Sequence, residues 1–261
     1  MVSVFLENAF LEVNDAVIAA AEGVDPEKAR ERAFFMKTTM PLLGLTVPQQ
    51  RILLRRGYSF SKDPLDRQLT IWDHIWRHAK FHEARMQAGL FVESRARDVP
   101  LPDLWAVTKE WAASINCWDQ SDTLSGVYAK MLEAKPDRVL PTLVDWNASE
   151  NPWLRRQSLV SLLYYARFRK RVPDRTLVFD HVRARLFDDD YYVQKGVGWT
   201  IREAYNVWPQ ETLAFLHDHV LELSAAAWQA ATEKLSPEQK APLKAARKVR
   251  GRSGSRTNQK V

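Results

Sequence analysis

The seven residues from Asn116 to Asp122, Asn-Cys-Trp-Asp-Gln-Ser-Asp, bring one large aromatic and two carboxylates within two helical turns. If a helix begins here, Trp118 and Asp122 project from one face, four positions apart. Two later stretches answer this one, Asn151-Pro152-Trp153-Leu154-Arg155-Arg156 and Gln194-Lys195-Gly196-Val197-Gly198-Trp199. They follow at steps of roughly 40 residues, the period of stacked helical hairpins. Equivalent positions in such a stack line one concave surface, which would bring Trp118, Asp122, Arg156, Lys195 and Trp199 to a single groove. There Arg155, Arg156 and Lys195 suit phosphates, and the faces of two tryptophans suit deoxyribose rings. A carboxylate beside an anomeric carbon stabilises the positive charge that develops on a sugar as its base departs, and it orients the attacking water. A base made cationic by alkylation leaves without a general acid.

Each of these residues also has an ordinary structural use. Asp119 or Asp122 can cap a helix, worth about 1 kcal/mol. Trp118 and Trp199 belong to a set of ten tryptophans, most of which must be core. Arg156 can be a surface arginine at the end of a positive patch. Gly196 and Gly198 inside a helix cost about 1 kcal/mol each against alanine, so a close neighbouring helix or ligand backbone is the expected compensation. His74, His78 and His82 form a stripe beside Glu83, yet three histidines over two turns cannot converge on one tetrahedral ion without bending the helix. No metal is expected. Cys117 has no evident His partner, no Gly-rich nucleophile turn is present, and no phosphate-cradling loop of the Walker or dinucleotide type appears.

The elements that must position these groups read as helices. Phe5, Leu6, Phe10, Val13, Val17 and Ile18 share one broad face. Asp25-Pro26 and Asn151-Pro152 read as N-cap and first helical position, Gly57 as a C-terminal cap, and Ser236-Pro237-Glu238-Gln239 as a capping box. Further starts fall at Pro48, Asp63-Pro64, Pro209 and Ser224, and one helix ends at Pro136. No segment sustains a period of two. The chain is therefore predicted to be all-α, about a dozen helices paired as antiparallel hairpins in a HEAT-like α-solenoid with a concave binding groove, one domain over residues 1–250.

The 261 residues are 46% hydrophobic with a single cysteine, enough apolar content for a sizeable core and no internal disulfide, as in a reducing, cytoplasmic setting. Acids interrupt the first apolar run, no stretch is long enough to span a bilayer, and no membrane partner is expected. The net charge of +6 is unevenly spread. Residues 240–261 alone hold eight basic and no acidic side chains, so the rest of the chain is slightly acidic. Residues 153–175 are locally basic, carrying Arg155, Arg156, Arg167, Arg169, Lys170, Arg171 and Arg175 against Asp174. This distribution fits an anionic partner on one face and a basic, disordered tail over 251–261.

These stretches resemble the AlkD-like DNA alkylation-repair family of helical-repeat DNA glycosylases, from about Phe34 to His219. Phe35-Met36-Lys37 with Gly44-Leu45-Thr46-Val47-Pro48 is similar to its early helix and turn. Trp118-Asp119-Gln120-Ser121-Asp122 resembles its Trp-Asp-x-x-Asp motif, Asn151 to Arg156 its Asn-x-Trp-Leu-x-Arg, and Gln194 to Trp199 with Arg202-Glu203 its Gln-Lys-x-x-Gly-Trp segment. The resemblance implies hydrolysis of the N-glycosidic bond of cationic N3- and N7-alkylated purines in double-stranded DNA by a monomer without cofactor. It makes Asp122 the catalytic carboxylate, Trp118 and Trp199 the aromatic walls and Arg156 a backbone contact and organiser; Arg155 and Lys195, from the groove reading, and Thr46 are the further expected DNA contacts. Cys117 stands where a second tryptophan is expected, and Val47 where a threonine is usual before Pro48. The alternatives are a non-catalytic protein that recognises DNA structure by shape and a protein-binding solenoid scaffold.

Overall fold

The computed structural model describes residues 4–95 and 101–254, with side chains omitted for 101, 102 and 249–254. Its elements are fourteen α-helices and two short 3-10 turns, with no strand among the described residues. The sequence reading drew one domain over 1–250; contacts group the chain into two compact units, Met1–Lys135 and Pro136–Val261.

Unit 1 holds α1 (Val4–Ala20), α2 (Pro26–Met36), α3 (Val47–Arg56), α4 (Leu65–His78), α5 (His82–Arg95), α6 (Leu101–Trp111) and α7 (Trp118–Ala134). The starts follow local chemistry. Asp25 accepts from the Glu27 amide ahead of Pro26, and Thr46 forms a reciprocal capping box with Gln49. Gly57, at φ 82°, ends α3. Alternate helices lie side by side, α3 against α5, α5 against α7, and α4 against α6, as a stack of helical hairpins requires. Trp72, Trp76 and Trp111 are fully buried. Trp76 and Trp111 stack at 4.7 Å between centroids, while their Nε1 groups donate to Ser114 Oγ and Asp73 Oδ1. The predicted histidine stripe does not form, because α4 stops at His78 and His82 opens α5, buried in a different setting.

Unit 2 holds α8 (Pro136–Asn147), α9 (Pro152–Leu163), α10 (Arg175–Arg183), α11 (Tyr191–Tyr205), α12 (Pro209–His219), α13 (Ala225–Ala231) and α14 (Pro237–Gly254). Asn151 accepts from Trp153 N at the head of α9, and Ser236 with Gln239 caps α14 reciprocally. Helices α9, α11 and α13 pack side by side. At Gly198 the approach of α13 is so close that a Cβ would lie 2.8 Å from Ala230 Cβ and collide with the Ala227 carbonyl. That collision explains the second mid-helix glycine. At Gly196 a Cβ would make ordinary contacts of 3.5–3.6 Å with α9. The last helix runs to Gly254, past the Gly251 at which the basic tail was expected to begin, and 255–261 lie outside the described residues. Among the described residues no helix is long and apolar enough to cross a membrane.

Candidate functional site

The first helical position of α7 is Trp118, with Cys117 as N-cap and no side-chain cap bond. The two carboxylates of the motif part company here. Asp119 is buried and turned inward, accepting from His82 Nε2 at 2.9 Å, the Cys117 thiol at 3.0 Å and the Gln120 amide at 2.9 Å. Burial alone would raise its pKa, but the bond and charge of His82 outweigh that and hold it below the ordinary carboxylate value. Asp122, half-buried at the fifth helical position, lies beyond the first-turn amides that a cap would serve, so capping is the work of neither its place nor its spacing. Trp118, four residues before it on the same face, keeps part of its ring exposed. The ring packs edge-on against Phe35 at 5.6 Å and donates from Nε1 to the Phe35 carbonyl.

A buried polar network holds this helix start. Gln120 Nε2 lies 3.3 Å from His82 Nδ1, and its Oε1 accepts from Asn116 N. Asn116 in turn accepts from Thr38 Oγ1 at 2.9 Å. Cys117 does have a histidine beside it, with Sγ 3.8 Å from His82 Nδ1, contrary to the sequence reading. Burial first, and the Asp119 carboxylate second, push its thiol far up, so it is a protonated donor rather than a nucleophile. His82, Cys117 and Asp119 offer donor atoms within 4.8 Å of one another, of types that can hold zinc. Their mutual hydrogen bonds already account for the arrangement. Next to it, the fully buried Glu83 carboxylate accepts from the amides of Leu43, Gly44 and Leu45 at 2.7–3.2 Å. It thereby pins the loop leading to Thr46. The Thr46 side chain is occupied by the capping box, so capping has moved to Thr46 from the residue before Pro48.

In unit 2, α11 presents Trp199 half-exposed. Arg202 lies 4.2 Å above its ring, Tyr164 is near-parallel to it at 5.9 Å, and Tyr165 meets it edge-on. Lys195, one turn earlier, is also partly exposed. The two arginines of α9 are both bonded within the fold. Arg156 is 3% exposed and donates to the Tyr192 carbonyl at 2.9 Å, so it is an internal organiser and not a surface arginine. Arg155 forks onto Asp188 at 2.7 and 3.0 Å and donates to the Ser149 and Glu150 carbonyls. The Asp188 bond first of all holds its pKa up, and this charge is spent inside the fold rather than on a phosphate. Gln194 is a loop staple, donating to three carbonyls between Arg185 and Asp188. The aromatic partners Phe35, Tyr164 and Tyr165 escaped the spacing argument because they lie off the repeat. The one signal for the latter two was the Tyr-Tyr pair at the head of the basic run 167–171.

Comparison with known proteins agrees with this architecture. The family profile described as DNA alkylation repair enzyme matches residues 20–235. A structure described as a predicted DNA alkylation repair enzyme from Enterococcus faecalis superposes with a TM-score of 0.70 at 18% identity, covering 82% of this chain and 97% of that one. AlkD2 from Streptococcus mutans gives a TM-score of 0.55 at 15% identity, covering 74% and 91%. No curated protein sequence matches the chain. At these identities the structures establish the fold, and the family profile spans most of the sequence. The chain belongs to the DNA alkylation repair enzyme family, with a role in the repair of alkylation damage.

Proposed function

We propose that the protein is a DNA glycosylase that hydrolyses the N-glycosidic bond of cationic N3- and N7-alkylated purines in duplex DNA. The observation that carries this reading is the start of α7, which sets the half-buried Asp122 one turn after the half-exposed Trp118 on the same helix face, while the neighbouring Asp119 is turned inward to His82 and Cys117. In the reaction the C1′–N bond breaks, its electron pair leaves with the purine and cancels the alkyl-induced charge, and water adds to C1′. Asp122 stabilises the oxocarbenium-like transition state and orients that water, whose proton passes to the carboxylate or to solvent. Trp118 supplies an aromatic wall. In unit 2, Trp199 offers its ring to a deoxyribose, Arg156 organises the start of α11 through the Tyr192 carbonyl, and Lys195 contacts phosphate. Thr46 is a further DNA contact. The protein acts as a cytoplasmic monomer and requires no metal or organic cofactor.

The test is release of methylated purine from duplex DNA containing N7-methylguanine, comparing wild type with Asp122→Asn at matched concentration. Wild type is expected to release base and Asp122→Asn to release none, with DNA affinity equal or higher because a negative charge near phosphates is gone. No release by either protein alongside intact DNA binding would replace this reading with recognition of DNA by shape.

A further inference from the structure

The turn that follows α9 carries an arrangement that the proposed reaction does not use. Tyr165 adopts φ 44° and ψ 51°, in the left-handed region that bulky L residues rarely take. Such conformations persist only where surrounding contacts enforce them, and they concentrate at binding sites. Here the enforcing contacts are internal. The Glu203 carboxylate, 3% exposed, accepts from Ala166 N at 3.2 Å, and Arg169 Nη1 donates to the Leu162 carbonyl at 2.7 Å. The Tyr165 ring does not gain a place in the core for this conformation, since the residue is 44% exposed. What the conformation achieves is to hold the ring edge-on to Trp199, at 5.9 Å and 73°, and to Tyr164, at 4.7 Å and 78°. The Nε1 of Trp199 is buried without an acceptor among the described residues. Three residues further on, Phe168 is 74% exposed under the Arg167 guanidinium, which lies 4.5 Å from its ring centroid.

Exposed rings on a rigid turn, interleaved with cations and with no acid between residues 164 and 173, match a polyanion that carries flat rings between its charges. An apolar protein helix would meet the rings but not the exposed positive charge of Arg167, whereas a nucleic acid meets both features. We propose that the Tyr165 turn is a DNA contact that extends the aromatic surface of Trp199. Tyr165 and Phe168 pack against sugars or bases of successive nucleotides, and the exposed Arg167, Lys170 and Arg171 meet the phosphates between them. This rests on DNA as the partner under the proposed function, and is independent of base excision.

The test uses the full chain and an unmodified fluorescent duplex, with affinity read by anisotropy at several salt concentrations beside thermal unfolding of each variant. Tyr165→Gly removes the ring and relaxes the backbone, so its Tm is expected to equal or exceed that of wild type while DNA affinity falls roughly 5- to 100-fold. Tyr165→Phe should bind like wild type. The salt slope should be unchanged in both, because Tyr165 neutralises no phosphate, and should become shallower in Arg167→Ala. Wild-type affinity in Tyr165→Gly would overturn the proposal, as would a Tm that falls together with affinity, which marks a structural turn. If wild type binds duplex DNA with a steep salt slope yet releases no methylated purine, the excision reading fails while this contact stands.

Discussion

Replacing Glu83 by Gln keeps the shape of the side chain while removing its charge and turning one acceptor oxygen into a donor, which makes it a sharp test of how the loop before α3 is held. The carboxylate is fully buried and accepts from three consecutive backbone amides, with Leu43 N within 3.0 Å of both oxygens, Gly44 N at 2.7 Å and Leu45 N at 3.2 Å. A hydrogen bond to a charged group contributes about 1.5–3 kcal/mol and a neutral one about 0.5–1.5. The difference is about 1 kcal/mol for each of three donors, offset in part by the smaller desolvation of an amide. The expected loss is about 2–3 kcal/mol, which for a chain of this length lowers Tm by about 4–12 °C. Chemical denaturation followed by circular dichroism gives the free energy, and amide hydrogen exchange should locate the lost protection at residues 43–45. A loss below about 0.5 kcal/mol, or unchanged protection at those amides, would refute the idea that charge-assisted bonds fix this loop and, through it, Thr46.

Other outcomes follow from the same contacts. Gly198→Ala should lower stability by about 1–3 kcal/mol, because the new methyl meets α13 backbone that cannot yield. Gly196→Ala should raise it by up to about 1 kcal/mol through helix propensity alone, and paired unfolding curves check both signs. Arg155→Ala should cost about 1–3 kcal/mol by removing the forked partner of Asp188, whose side chain is 3% exposed and keeps Arg185 at 3.6 Å and the Asp190 amide, and should leave the salt slope of DNA binding unchanged. Asp119 titrates lower in the folded protein than an ordinary aspartate, so its contribution to stability is present above the unfolded pKa of about 4 and is lost as pH falls through the folded value. Melting curves between pH 3 and 6 should therefore show the deficit of Asp119→Asn to be constant at the upper end and to shrink toward the lower end.

The helices themselves were legible in the chain because their signals are local. Asp25-Pro26, Gly57, Asn151-Pro152 and Ser236 with Gln239 each act within four residues, and the structure uses all of them as caps. The repeat of roughly 40 residues was legible for a related reason, since stacking α9, α11 and α13 imposes the same apolar spacing on each hairpin. The identity of Trp118 and Asp122 as neighbours on one face required only the start of α7.

Tertiary structure decided what each polar residue spends its hydrogen bonds on. Sequence spacing treats Arg155, Arg156 and Lys195 alike as cations. Only the fold shows that Arg155 is matched by Asp188, 33 positions away, and that Arg156 is sealed against α11 while Lys195 stays partly exposed. It likewise separated the two carboxylates of one motif by placing His82 beside Asp119, and it took His82 out of the stripe that its spacing had drawn. The two glycines of α11 look equivalent along the chain, yet only Gly198 faces the α13 backbone. Composition and period are properties of short segments and survive in the unfolded chain. The partner of a buried donor or acceptor is chosen by which distant segment folds against it, and that choice exists only once the helices have packed.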